Sequence, residues 1–320
     1  MKKNPKQGYY LGIDTSAYTS SLAIVDREEH LVFEERKTLP VEEGSLGLRQ
    51  SEAVFAHLNQ LPFLINKEEL IPQKGKIIAV AAATAPRPVE GSYMPVFKVS
   101  EAFGLFLAKT MGLNFLPSTH QEGHVMAGLW SAGLPSGRYL VTHLSGGTTE
   151  IIFAVESSPG CLDLTMLGGS CDLNAGQFID RFGKQAGLDF PAGPALEKLA
   201  QNSIDANLEL PLAVKGSEIS FSGPASHAER LLAKGFRKED LARAVEKCIT
   251  DSLVKAVTAL KHGINSYNGI LAVGGVTANQ FIRKRLSAKL PGQKIFFAAP
   301  EYAADNAAGL AVQAARFFKE

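Results

Sequence analysis

Two histidines four residues apart frame the stretch His120-Gln-Glu122-Gly-His124. On a helix that spacing puts both imidazoles on one face, within reach of one metal ion. The stretch follows the apolar run Leu113–Pro117, whose pattern predicts a strand, and ligands bind beyond strand ends in open α/β sheets. A His-x-x-x-His pair alone is more often ordinary helix surface, so a site needs a third ligand. Asp305, in Ala304-Asp305-Asn306 before the last predicted helix, is a hard oxygen ligand that would complete a 2-His-1-carboxylate set. On composition alone its expected role is to cap that helix. Glu122 lies between the histidines, out of the HExxH register that a zinc peptidase needs for its general base.

Two glycine pairs come next. Ser145-Gly146-Gly147-Thr148-Thr149-Glu150 lies between two predicted strands, where exposed N–H groups and hydroxyls suit phosphate oxygens. Gly-Gly is equally good hairpin chemistry. The second pair, Gly274-Gly275, links a buried strand to a helix. Asn279 behind it can bond a base, a ribose or the helix's own N–H groups. The full GxGxxG pattern is missing, so no dinucleotide site is indicated. Asp172 and Asp180 can each bond a ribose hydroxyl or stand as a solvated charge. Gly193 closes the Pro/Gly turn Phe190-Pro-Ala-Gly193 before another helix.

The elements that must position these residues read β-β-β-α-β-α-β-α up to the histidine helix. A second opening of three strands follows at Tyr139–Leu144, Glu150–Ala154 and Leu162–Leu167. Helices are expected at Asn174–Ala186, Pro194–Ala200, Pro224–Ala233, Lys238–Lys261, Asn279–Leu290 and Asn306–Phe318, with strands at Gly269–Val273 and Lys294–Phe297. Two halves with the same element order imply two α/β lobes, each a mixed sheet flanked by helices. We place the N-terminal lobe at 1–118, the C-terminal lobe with a cleft at 119–304, and a helix returning to the first lobe at 305–320. The chain has 320 residues, 45% of them hydrophobic, and a net charge of +1. That balance demands neither nucleic acid nor an acidic membrane as partner. Cys161, Cys171 and Cys248 are scattered, which argues against a disulfide framework or a zinc-thiolate site. The basic start Met1–Lys6 leads into no signal-peptide pattern, and no apolar run approaches the ~20 residues of a membrane span. The expected setting is the cytoplasm.

The pieces LGIDTS (11–16), HQEGH (120–124), LSGGTT (144–149), DFPAGPALEKLA (189–200), ISFSG (219–223), VGGVTANQFIR (273–283) and ADNAAGLA (304–311) stand in an order that resembles the TsaD family of tRNA threonylcarbamoyladenosine synthases, formerly called glycoproteases. The resemblance runs from Leu11 to Phe317. It implies the two-lobed actin/Hsp70/sugar-kinase fold. It implies His120, His124 and Asp305 as ligands of one divalent ion, iron or zinc. It implies Ser145, Gly146 and Gly147 as a phosphate loop, and Asp180, Gly193 and Asn279 as binders of the nucleoside of an adenylate or adenine nucleotide. The activity implied is transfer of a threonylcarbamoyl group from its adenylate to N6 of adenosine in tRNA. The partners implied are tRNA, a related small paralogue and an accessory ATPase, with an oligomer also open.

Several positions depart from the family pattern. Tyr18 and Thr19 replace two adjacent acidic residues, and Thr148 stands where the phosphate loop carries histidine. Gly169–Arg181 lacks three carboxylates, Pro224 and Ala225 replace Leu and Lys, and the GPG turn reads Ala85-Pro-Arg87-Pro. These departures fit a divergent paralogue. They keep open a nucleotide- and metal-binding protein that regulates or scaffolds a tRNA-modification complex. A metallopeptidase and a small-molecule kinase are weaker alternatives. Arg283, Lys284, Arg285, Lys289 and Lys294 cluster in sequence, as a tRNA-facing or simply solvated helix would.

Overall fold

The computed structural model describes residues 7–40, 48–65, 75–205, 207–260 and 266–319. The basic start Met1–Lys6 and Lys261, the last residue of a predicted helix, lie outside them. In chain order the elements are β1 (Gln7–Thr15), β2 (Thr19–Asp26), β3 (Leu31–Thr38), α1 (Gln50–Gln60), β4 (Gly75–Ala85), α2 (Phe97–Met111), β5 (Asn114–Thr119) and α3 (His120–Ser131). Next come β6 (Arg138–Leu144), β7 (Thr149–Ser158), β8 (Cys161–Ser170), α4 (Ala175–Gln185), α5 (Gly193–Ala200), β9 (Ala213–Lys215), β10 (Glu218–Ser220), α6 (Ser222–Ala233) and α7 (Lys238–Leu260). The chain ends with β11 (Gly269–Val273), α8 (Gln280–Lys289), β12 (Ile295–Phe297), α9 (Pro300–Ala303) and α10 (Ala308–Phe317).

The chain divides into two compact units. The first comprises Met1–Ser136, Glu156–Leu164 and Asp305–Glu320, the second Gly137–Val155 and Thr165–Ala304. The boundary drawn from the sequence after residue 118 falls inside the first unit, because α3 packs on α10.

In the first unit the sheet order is β3-β2-β1-β4-β5, with β1 antiparallel to β2 and parallel to β4, and β4 parallel to β5. The central strands are apolar runs, and Ile13, Leu22, Ile24, Val80 and Ala82 form the core with Val99 of α2. The edge strand β3 carries Glu34, Glu35, Arg36 and Lys37, charges that discourage edge-to-edge pairing. Gly112 ends α2 in the left-handed conformation that glycine adopts without strain. Helix α10 packs on β1, β2, β4 and α3. A Cβ at Gly12 would run into the Ala307 carbonyl, and one at Gly309 into the Gly123 carbonyl.

In the second unit the order is β12-β11-β6-β7-β8-β10-β9, with β11 parallel to β6 and β12, and β6 antiparallel to β7. Helices α4, α5, α6, α7 and α8 bury a core that includes Phe178, Phe182, Leu196, Phe221, Leu241 and Ile249. Strands β9 and β10, three residues each, and the one-turn α9 are not among the elements expected from the sequence. No helix among the described residues is long and apolar enough to cross a membrane.

Candidate metal centre and glycine turns

Helix α3 begins at His120 with a reciprocal cap. The Glu122 backbone N–H donates to Thr119 Oγ1, and Glu122 Oε2 accepts from the Thr119 N–H at 2.9 Å and from its hydroxyl at 2.6 Å. Glu122 is therefore part of the helix start. Four residues on, His124 faces His120, and their Nε2 atoms stand 3.2 Å apart. Asp305 Oδ1 lies 3.3 Å from His124 Nε2 and 3.6 Å from His120 Nε2. All three residues belong to the first unit.

Around a divalent ion, ligands bonded at ~2.0–2.2 Å with angles between octahedral and tetrahedral lie about 2.8–3.6 Å apart. The three separations fall in that range, so the donor set fits one ion. The surrounding groups are those a ligand set needs. Asp14 Oδ2 is 2.7 Å from His120 Nδ1, and the Ser16 hydroxyl donates to Asp305 Oδ2. Asp14 is buried, and its Oδ1 has no hydrogen-bond partner among the described residues. Burial opposes a proton on His120, but Asp14, with Asp305 beside it, outweighs burial and holds the imidazole pKa well above its ordinary value. Burial likewise pushes Asp305 up, and hydrogen bonds from His120 and His124 outweigh it, leaving the carboxyl well below the usual range. The field at this point favours positive charge.

Asp305 does not cap the last helix. Its N-cap is Ala307, and the Asn306 side chain takes the Ala308 N–H at 3.0 Å. The aspartate, freed from capping, joins the histidines.

In the second unit the two glycine turns follow the C-terminal ends of the neighbouring parallel strands β6 and β11. The turn after β6 is closed by the Ser145 N–H donating to the Thr148 carbonyl at 2.8 Å. Helix α4 is fastened against it: Ala175 N–H donates to Thr149 Oγ1 at 2.7 Å and Gly176 N–H to the Ser145 carbonyl at 3.1 Å. A Cβ at Gly176 would sit 2.6 Å from Gly146 Cα, so this approach requires glycine. Gly146, Gly147, Gly193 and Gly275 have open space on their Cβ side.

The polar candidates behave differently. Asp180 takes the Ala192 N–H at 2.8 Å and fixes the Phe190–Gly193 turn; burial pushes its carboxyl up despite that bond. Asn279 caps α8 through the Ile282 N–H at 2.9 Å, one of the roles open to it from the sequence, and its amide also donates to the buried Glu246 at 2.6 Å. Both ends of that amide serve the fold. Glu246, with no counterpart in the sequence reading, has its pKa pushed up to about 7 by burial, against Asn279 and Arg243. Asp172 is held by Ser220, Leu173, Phe221 and Ser222. These contacts overcome burial and bring its pKa down to about 2. Its oxygens fasten the β10–α6 junction. In the basic cluster, Arg283 donates to the Thr277 and Ala298 carbonyls and Arg285 pairs with Asp251. Those two side chains are held by the fold.

Solved structures with the same architecture identify the class. Component A of (R)-2-hydroxyglutaryl-CoA dehydratase from Acidaminococcus fermentans superposes with a TM-score of 0.57 at 15% identity, over 96% of this chain and 97% of that one. HypF from T. kodakarensis gives 0.60 at 12% over 99% of this chain and 49% of its own, and a ROK family glucokinase from Streptomyces griseus 0.53 at 11% over 96% and 98%. The fold is the actin/Hsp70/sugar-kinase type, as the resemblance implied. Within that class, the profile of the TsaD family, tRNA N6-adenosine threonylcarbamoyltransferase, matches residues 51–312, and the chain belongs to this family. A tRNA N6-adenosine threonylcarbamoyltransferase from Archaeoglobus fulgidus is 28% identical over 311 residues, covering 97% of this chain and 91% of the relative.

Proposed function

We propose that this protein transfers a threonylcarbamoyl group from its adenylate to N6 of adenosine in tRNA, with one divalent ion, iron or zinc, held by His120, His124 and Asp305. The observation that carries the reading is the convergence of two imidazoles and a carboxylate on one point, in a chain of the TsaD family. In the reaction the N6 amine attacks the carbamoyl carbon, the C–O bond to phosphate breaks, AMP leaves, and N6 gives up a proton. A bound ion supplies electrostatic stabilisation of charge developing on carbamoyl or phosphate oxygens.

The chain's own residues do the positioning. Asp14 takes the His120 Nδ1 hydrogen and so turns the Nε2 lone pair toward the ligand point. Ser16 fixes the far oxygen of Asp305. Ser145, Gly146 and Gly147 offer backbone to phosphate oxygens, and open space at Gly193 leaves room for a nucleoside beside the turn that Asp180 holds. Asn279 would bind a nucleoside through its second amide hydrogen. Action in the cytoplasm, on tRNA, beside a related small paralogue and an accessory ATPase goes with this reading. A peptidase reading is less favoured, since Glu122, the carboxylate between the histidines, is engaged in the helix cap.

The test is transfer of carbonyl-labelled threonylcarbamoyl from its adenylate to tRNA by purified protein, alone and with the partner proteins. We expect label on tRNA with the wild type and a loss of at least a hundredfold in His124→Ala. Absence of transfer under every condition, with adenylate and metal still bound, would favour the regulator or scaffold instead.

A further inference from the structure

His57 belongs to none of the motifs. It lies on α1, is completely buried, and has partners at both ring nitrogens. Nδ1 is 2.7 Å from the Ser20 hydroxyl oxygen, and Nε2 is 2.7 Å from the Ser16 carbonyl oxygen. A carbonyl only accepts, so Nε2 carries the hydrogen and Nδ1 accepts from Ser20. Burial lowers the His57 pKa against the Ser16 bond and the Asp14 charge, in keeping with a neutral ring.

The segment that His57 grips is the one that orients the ligand set. Asp14 reaches His120 and Ser16 reaches Asp305, so three consecutive residues set two of the three candidate ligands. Between them, Thr15 is fastened on α2, its hydroxyl 2.8 Å from the Val96 carbonyl and 2.9 Å from Ser100 Oγ. The Ser16 N–H donates to the Thr19 carbonyl at 3.0 Å, closing the turn. His57, itself held by Ser20, grips the Ser16 carbonyl on the other side of that residue. Without the Nε2–H, the Ser16 carbonyl becomes a buried acceptor lacking its partner, and the turn must move to hydrate it.

We propose that His57 is a positioning residue of the metal centre: from α1 it fixes the Ser16 backbone, and through Ser16 and Asp14 it holds Asp305 and His120 in register for one ion. This rests on the metal-site reading of His120, His124 and Asp305. Outer contacts of this kind typically contribute 10- to 100-fold in metal affinity.

Two amides separate this role from space filling. His57→Gln places an N–H where Nε2 stood and can serve the Ser16 carbonyl. His57→Asn reaches only the Nδ1 position, facing Ser20. Zn2+ is titrated into metal-stripped full-length wild type, both variants and His124→Ala, and the visible spectrum of the Co2+ form is recorded with each melting temperature. We expect Zn2+ binding within a few-fold of wild type in His57→Gln, and about 10- to 100-fold weaker in His57→Asn with an altered Co2+ band. Ser16→Ala should weaken binding too, and combined with His57→Asn cost less than the sum. Wild-type affinity in His57→Asn, or equal loss in the two folded amide variants, overturns the positioning role while leaving the metal site standing. A wild type that takes up no Zn2+, or Zn2+ uptake unchanged in His124→Ala, overturns the site itself and this role with it.

Discussion

Glu122 shows how one side chain's role is settled by its partners. Between two histidines it invites a catalytic reading, yet its carboxylate closes a reciprocal cap with Thr119. Glutamine serves the same cap, whereas a general base needs the carboxylate. We therefore expect Glu122→Gln to keep the melting temperature within a few degrees and transfer within a few-fold. A loss of two orders of magnitude in kcat would reinstate a chemical role. His124→Ala removes one of the three candidate ligands outright, and metal analysis of that variant should find the ion absent, against one equivalent in the wild type. At this scale the histidines were legible because four-residue spacing on a helix is a local property. Asp305 was legible as a candidate ligand by its chemistry, but sequence spacing could not place it beside the histidines. On local grounds it read as a cap, a role that Asn306 fills instead. Asp172 accepts a hydrogen bond from a distant segment and Asn279 donates one to Glu246, contacts that no local pattern announces.

The elements explain why a residue near the C-terminus reaches a helix near position 120. Helix α10 approaches β1 and α3 closely enough that Gly12 and Gly309 have no room for a side chain. Alanine at 309 overpacks a rigid contact, which costs typically about 1–3 kcal/mol. We expect Gly309→Ala to lower the melting temperature and, by shifting α10 away from α3, to weaken Zn2+ binding as well. Unchanged metal affinity in a destabilised Gly309→Ala would disconnect helix docking from the site. Most elements were legible from apolar periodicity and from breaks such as Gly112. Strands β9 and β10 were not, because their three residues each lack the continuous apolar run that marks the equally short β12. Strand β10 pairs with β8, some fifty residues earlier in the chain, and β9 pairs with β10.

At the scale of the whole molecule, the duplicated element order pointed to two α/β lobes, and the chain forms two compact units with sheets of that type. The sequence reading returned 305–320 to the first lobe, and that segment lies in the first unit, but the membership of 119–136 and of Glu156–Leu164 was not legible, since tertiary packing alone gathers them there. The buried Glu246 gives stability a pH dependence. Its folded pKa, about 7, stands above the ~4.3 of an unfolded glutamate. The folded state then holds the extra proton, so this contribution is fully present below ~4.3 and is lost as pH rises through about 7. In denaturant titrations, Glu246→Gln should gain stability relative to wild type between pH 5 and pH 8; a constant difference would place the carboxyl at an ordinary pKa. The central claim is metal-dependent transfer to tRNA. Its most direct test is threonylcarbamoyl transfer by protein stripped with a chelator and then resupplied with Fe2+ or Zn2+. We expect transfer to vanish on stripping and to return with metal in the wild type but not in His124→Ala. Transfer that survives both chelation and His124→Ala would contradict the claim.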